Sequence, residues 1–441
     1  MSNSISSQAG FIAAPASTTA RASALMTAGS LGKWLVVFGT TFNIILCFFS
    51  TRGWIHINNA MIAGIELAIM GIGLYTVRNN ATWSAISIMG LICAYLIGVK
   101  MINPGASLKI IHDIGICYIF YQLGRMGSQR YANSAMWLTM WVVLAIGMFE
   151  LLATNAFGQM FNIWQYYVQK GVISAGTINY GNSTFFRSGD RAGSATRTFF
   201  PGLLGPHRVS SVFLEPVSLG NYAAVVFAYC VSVSKNRPGQ RHILLYAASL
   251  FCVVLGDSRF AFGCCALMAI MRFMPFRRNA WLSFLLPVCI ATALLVIGSL
   301  NERPGIEPAI VTDDLKGRLL FSARLLDYWN LSQWFAFAPS QVYTADTGYA
   351  YIVNALGLPL SLILLGIFAF HRCVTPEAGL MKTMIAVYFA ASLCIGAGAF
   401  TIKTSALLWL AYGALDIAPK VRKAGRTWRK PEDMSFATNR G

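Results

Sequence analysis

Twelve apolar stretches recur along this chain, and they leave room for one architecture. They fall at about 33–50, 59–77, 83–102, 108–124, 135–154, 217–234, 242–256, 258–273, 281–299, 347–370, 381–399 and 402–417, most of them near the ~20 residues that a helix needs to cross hydrocarbon. The expected fold is an all-α polytopic membrane protein with about 12 transmembrane helices. Composition agrees. The chain is 56% hydrophobic and 11% charged, with a mean hydropathy of +0.58, whereas a soluble domain carries roughly 25% charge.

Two polar interruptions organise these runs. Residues 1–32, rich in Ser, Ala and Thr, read as a disordered tail on the cytoplasmic side. No cleavage site follows the first apolar run, so it reads as a retained span. Spans 1–5 occupy 33–154, a first long loop 155–216, spans 6–9 217–299, a second long loop 300–346, and spans 10–12 347–417. A basic tail covers 418–441.

Net charge is +18. In a soluble protein this would suggest nucleic acid, but here the basic residues sit where orientation requires them. Twenty of the 34 Lys and Arg lie in seven short segments on one side, which places both termini inside and both long loops outside. No nucleic-acid partner is expected; the tail between Lys420 and Lys430 suits an anionic lipid surface. Ten cysteines form no CxxC pair and five histidines show no metal-ligand spacing, so no metal or cofactor is expected. Phosphate-binding, zinc-protease, serine-hydrolase and dinucleotide fingerprints are all missing from the sequence. Energy for synthesis would have to arrive with an activated, lipid-linked donor.

Basic residues on the outer side run against the orienting bias. The stretch from Phe185 to Tyr222 holds Arg187, Arg191, Arg197, Arg208 and Glu215. Arginine binds phosphate and carboxylate through a fixed fork of donors, so this loop is a candidate anion site; a merely solvated loop is the plainer reading. Arg208 and Glu215 could flank the mouth of the bundle or form an ion pair at a helix end. Arg259, in the turn Asp257-Ser258-Arg259, either snorkels toward headgroups or joins the anion site. The second loop brings Arg318 and Arg324, its mixed charge suggesting an amphipathic surface helix. Asp346 stands where a helix begins, as a cap or as a general base toward a sugar hydroxyl. Within the spans, Glu66, Lys100, Asp113 and Glu150 need partners or water; Lys100 and Glu150 lie near enough to span ends to reach water.

These parts resemble the Wzy-type O-antigen and exopolysaccharide polymerases of bacteria. The resemblance rests on about twelve spans, two long outer loops and R-x-S-x-x-F-x-E-P at Arg208–Pro216. It also rests on the Ser258-Arg259 turn, on D-x-G-Y at Asp346–Tyr349, and on Arg191 lying eleven residues before Gly202. It implies a metal-independent membrane glycosyltransferase of the C-type fold in the bacterial inner membrane. Such an enzyme joins undecaprenyl-pyrophosphate-linked repeat units at the periplasmic face, with chain-length regulator and flippase proteins as partners; among these enzymes the chain is similar to the xanthan-type exopolysaccharide polymerases. Under it, Asp346, Glu215, Arg208 and Arg259 are the catalytic candidates, and Arg191, Arg187, Arg197, Arg318, Arg324 and Tyr349 the substrate-binding ones. The related O-antigen ligases carry a histidine before the helix that follows the second loop; none occurs in 300–346. A ligase and a lipid-linked oligosaccharide transporter are the rival readings.

Overall fold

Apolar sequence becomes helix throughout the computed structural model, which describes residues 17–80, 82–173, 184–185, 197–233, 240–275, 278–301, 315–340, 342, 344 and 347–417, side chains excepted at 17–27, 241 and 315. No strand occurs among the described residues. The first half holds α1 (Ser17–Thr51), α2 (Asn59–Val77), α3 (Trp83–Ile102), α4 (Lys109–Met126) and α5 (Gln129–Leu152), then the short α6 (Thr154–Met160), α7 (Ile163–Gln169) and α8 (Pro201–Leu204). The second half holds α9 (Pro216–Val233), α10 (Gln240–Leu255), α11 (Arg259–Phe273), α12 (Ala280–Leu300), α13 (Leu315–Tyr328), α14 (Leu331–Trp334), α15 (Gly348–Phe370), α16 (Pro376–Ser392) and α17 (Ile402–Leu415).

Seven of these helices are long and apolar enough to cross a membrane: α1 from Ala28, α2, α3, α5, α9, α12 and α15. The apolar parts of α10 and α17 are shorter. Outward faces carry large apolar side chains, among them Trp83, Leu91, Ile97, Phe273 and Leu300. An apolar rim of that extent suits lipid, not water.

Burial is graded across the bundle. Helix α9 is central, with Leu219, Tyr222, Val226 and Tyr229 all sealed in, whereas α2, α3 and α12 are peripheral. The tightest seam joins α4 to α17. A Cβ on Gly124 would fall 2.2 Å from the Leu410 carbonyl oxygen, and one on Gly413 2.0 Å from that of Tyr121. Only glycine lets two backbones approach so closely.

Two expectations are corrected here. The tail expected to be disordered over 1–32 is helical from Ser17; residues 1–16 lie outside the described ones. Nucleation is the costly step of helix formation, and the apolar run from Lys33 supplies the nucleus from which an alanine-containing segment extends. The second-loop helix, α13, is not a free surface helix either: Phe321, Leu325 and Leu326 are buried against α12 and α15.

One end of the bundle is laced together by loop segments. Gln169 at the end of α7 accepts from Ser50 Oγ (2.7 Å) and Ile57 N (3.2 Å), between α1 and α2. Asn103, after α3, donates to Ala336 O (3.2 Å), and Arg324 on α13 donates to Asn301 O after α12 (3.2 Å). At the opposite end, Asp416 accepts from Tyr121 Oη (2.5 Å) and Val374 N (2.6 Å). Helix α15 is broken at Gly357, whose φ of +71° few other residues adopt; a side chain there would also press on Phe335 O and Tyr95 Oη.

Candidate active site

The returning limb of the first loop, residues 197–215, is fixed from beneath by one buried carboxylate. Glu150, in the last turn of α5, is wholly buried. It accepts from His207 Nε2 (2.9 Å), from Ser210 N (3.0 Å to each oxygen) and from Ser211 N (2.6 Å). Charged hydrogen bonds of this kind contribute about 1.5–3 kcal/mol each. The expectation that Glu150 reaches water is thus corrected. It is a structural anchor, and its backbone partners lie sixty residues on.

A second tie runs to the turn between α10 and α11. Val209 N donates to Leu255 O (3.1 Å), and Asp257 Oδ1 accepts from Thr198 N (2.9 Å) and Phe199 N (3.0 Å). Arg197 is the linchpin. At 2% exposure, its guanidinium donates to the carbonyls of His207, Val254 and Leu255. Two of these carbonyls end α10, where cations are favoured. This corrects Arg197 as a substrate ligand, because no lipid-borne or soluble anion reaches a group so enclosed.

Backbone strain is concentrated around the same limb. Among the described residues, the non-glycine positions with positive φ are Phe200, Ser211, Leu214, Asp257 and Ala336, and the first four belong to this limb and its supporting turn. Conformations of that sort cost of order 1–3 kcal/mol each and persist where surrounding contacts over-determine them. Here those contacts are the Glu150 and Asp257 carboxylates.

What this framework presents is Arg208, Arg259 and Glu215. Arg208 is half-buried and its Nε donates to Gly256 O (3.3 Å). Arg259 opens α11 behind the Ser258 cap, is exposed, and has no hydrogen bond or ion pair among the described residues. The two arginines therefore flank one turn. Arg208 and Glu215 do not form the ion pair considered from sequence. Instead Glu215, immediately before Pro216 of α9, accepts from Tyr167 Oη (2.5 Å) on one oxygen and Ser218 Oγ (2.8 Å) on the other.

Two lysines that sequence reasoning missed complete the surroundings of Glu215. Lys403, at the start of α17, donates to Phe213 O (3.3 Å). Lys170, just past α7, lies 5.9 Å over the Tyr167 ring. Burial pushes the Glu215 carboxyl up, but Lys403, Tyr167, Ser218 and Lys170 outweigh it and hold the group below the ordinary 4.5. Burial and then the Lys403 ammonium depress Lys170, against the pull of Glu215 and Glu66. A neighbouring polar group lies on α2, α4 and α15. His112 contacts Asp113 (3.1 Å) and Glu66 (3.5 Å), while Asp113 also accepts from Tyr351 Oη (2.7 Å).

The second-loop residues divide. Asp346, Arg187 and Arg191 lie outside the described residues; the α15 cap is Thr347, one position after Asp346. Arg318 Nη1 approaches Ile395 O (3.5 Å), and Arg324 is spent on the end of α12. Tyr349 is buried, and its hydroxyl donates to Pro287 O (3.1 Å) and Ala390 O (3.2 Å). Its hydroxyl is thus spent on the backbone, while its ring stands on the wall of an apolar cavity.

Beside this polar end lies a cavity of about 520 Å³, lined by apolar residues of α4, α12, α15, α16 and α17. Helix α4 turns Ile110, Ile114 and Cys117 to it, a spacing that follows one helix face, and His112 and Asp113 to the polar group. Phe400, also on its wall, precedes Lys403 by three residues. Neither Glu215, Arg208 nor Arg259 lines it. Set against models of known families, curated proteins and solved structures, the chain matches none.

Proposed function

We propose that this chain is a polysaccharide polymerase of the bacterial inner membrane, joining undecaprenyl-pyrophosphate-linked repeat units at the periplasmic face. In this reading twelve helices cross the bilayer, the shorter α10, α11, α16 and α17 and the more polar α4 included, with both termini cytoplasmic and the laced end outward. One observation carries it. A carboxylate, Glu215, is held by two hydroxyls at the end of the bundle that bears both loops, in a bundle that also holds an apolar groove able to receive part of a polyprenyl chain.

A hydroxyl of the acceptor unit attacks the anomeric carbon of the growing chain. The bond from that carbon to the pyrophosphate oxygen breaks, undecaprenyl pyrophosphate leaves with the bonding pair, and the hydroxyl proton passes to Glu215. A carboxylate with a lowered pKa is a weak base, so its larger contribution is to orient the hydroxyl while the leaving group departs. Cationic side chains nearby stabilise charge developing on the pyrophosphate; Arg208 and Arg259 are placed on the turn that supports the loop.

The test is polysaccharide chemistry in a deletion strain, with purified protein in proteoliposomes given lipid-linked repeat units. Single units should accumulate in the strain, and proteoliposomes should yield longer glycans that Glu215→Gln abolishes. Intermediates retained on the inner leaflet would instead identify a transporter, and transfer only to a foreign acceptor a ligase.

A further inference from the structure

We infer that Lys170 and Lys403, converging on Tyr167 and Glu215, form an oxyanion site for a diphosphate group, distinct from the arginine-bearing turn. The inference rests on the polymerase reading only for the biological identity of the ligand.

The geometry is specific. Glu215 takes a hydroxyl on each oxygen, from Tyr167 and Ser218, and neither lysine stands at ion-pair distance from it. Lys170 is half-buried and, among the described residues, its ammonium has no hydrogen-bond acceptor and no carboxylate at ion-pair distance. Its one contact is the face of Tyr167. Lys403 is held to Phe213 O, two residues from Glu215, so its ammonium is steered to the same place. Of the nearby carboxylates, Glu66 lies 3.5 Å from His112 Nε2 without a hydrogen bond, and Asp113 is engaged with His112, Lys109 and Tyr351.

Two ammoniums thus share this corner with Glu215 and, among the described residues, neither has a carboxylate at ion-pair distance, so their donors remain open to a multiply charged anion. Lysine binds phosphate as a rotatable point charge, without the fixed fork that arginine imposes, and so accommodates a diphosphate in more than one pose. Phe400, on the groove wall, leads into Lys403 within one turn of chain. A prenyl chain in the groove would therefore bring its headgroup toward this pair.

The experiment titrates detergent-purified full-length chain with farnesyl diphosphate, inorganic pyrophosphate and farnesol. Farnesyl diphosphate should bind, and Lys170→Gln and Lys403→Gln should each weaken it at least tenfold. Lys170→Arg should keep most of the affinity, and Arg52→Gln, which removes an exposed cation stacked on Phe48, should change nothing. Farnesyl diphosphate binding more tightly than pyrophosphate identifies a lipid headgroup; equal affinities identify a soluble diphosphate at the same lysines. Wild-type protein that ignores both diphosphates, or lysine-to-glutamine variants that melt and bind as wild type does, would overturn the site. Lysine-dependent binding without glycan synthesis in proteoliposomes would retain the site and reject the polymerase. Synthesis with undiminished binding in both glutamine variants would do the reverse.

Discussion

Glu150→Gln is the sharpest test of how the loop-bearing end of the bundle is held together. The carboxylate presents two acceptor oxygens to three donors: His207 Nε2, Ser210 N and Ser211 N. Glutamine keeps the shape and one of those oxygens. With its amide nitrogen in the position facing Ser211, donor opposes donor; flipped, it opposes His207 and Ser210. One charge-assisted bond is lost, worth about 1.5–3 kcal/mol, and a buried N–H is left unsatisfied at a further ~1–3 kcal/mol. Allowing for relaxation, about 3–4 kcal/mol is removed from the closed state of residues 207–215. At ~1.4 kcal/mol per tenfold, opening of that limb should rise roughly 100- to 700-fold. Hydrogen exchange followed by mass spectrometry, in detergent, reads this directly: amides of 207–215 should lose protection while those of α9 and α17 keep theirs. Glycan synthesis should fall with it, because Arg208 and Glu215 ride on the same limb. Wild-type exchange across 207–215 in Glu150→Gln would refute the anchoring role. Collapse of protection throughout α9 would show that Glu150 holds the whole bundle.

Three other perturbations bear on separate parts of the molecule. Gly413→Ala forces a methyl into the Tyr121 backbone, and overpacking typically costs about 1–3 kcal/mol; thermal melting in detergent should fall clearly, whereas Gly64→Ala, with open space around it, should leave it unchanged or slightly raised. For Glu215, the folded carboxyl lies below its ordinary value, so its contribution to stability is present above the unfolded pKa and lost as pH falls through the folded one; melting curves of wild type and Glu215→Gln should converge in that acid window, and parallel curves would remove the electrostatic account. Tyr349→Phe deletes a buried hydroxyl shared by two carbonyls, at about 0.5–1.5 kcal/mol; stability should drop with KM unchanged, and a raised KM at constant stability would restore Tyr349 to the substrate site.

Which parts of this protein could be read in its sequence follows from the range of the interactions that made them. An apolar run some twenty residues long is a local signal, and such stretches are mostly helix, down to the Ser258 cap of α11 and the proline that opens α9, although the run at 381–399 leaves the helix after Ser392. The place of Glu215 at the start of α9 was legible for the same reason, being written into a short motif before that proline. Arg197 was not. In a sequence, an arginine that closes the carbonyl end of α10 looks identical to one that faces an anion, and only the positions of Val254 and Leu255 decide between them. Glu150 looked like a span-end carboxylate free to reach water, because its partners are backbone N–H groups that no residue type advertises. Lys170 and Lys403 gave the weakest signal of all: one ends a loop helix, the other begins the last apolar run, and each alone reads as a cation near a membrane surface. Their meaning lies in the Tyr167–Glu215 hydrogen bond between them, a contact made where α7 is clamped to α1 through Gln169, Asn162 and Tyr166. The prediction that follows is structural as much as chemical. Gln169→Ala, which leaves both lysines and Glu215 in the chain, should loosen α7 and weaken farnesyl diphosphate binding as Lys170→Gln does. Undiminished binding in that variant would mean that the lysines are positioned by something other than this clamp.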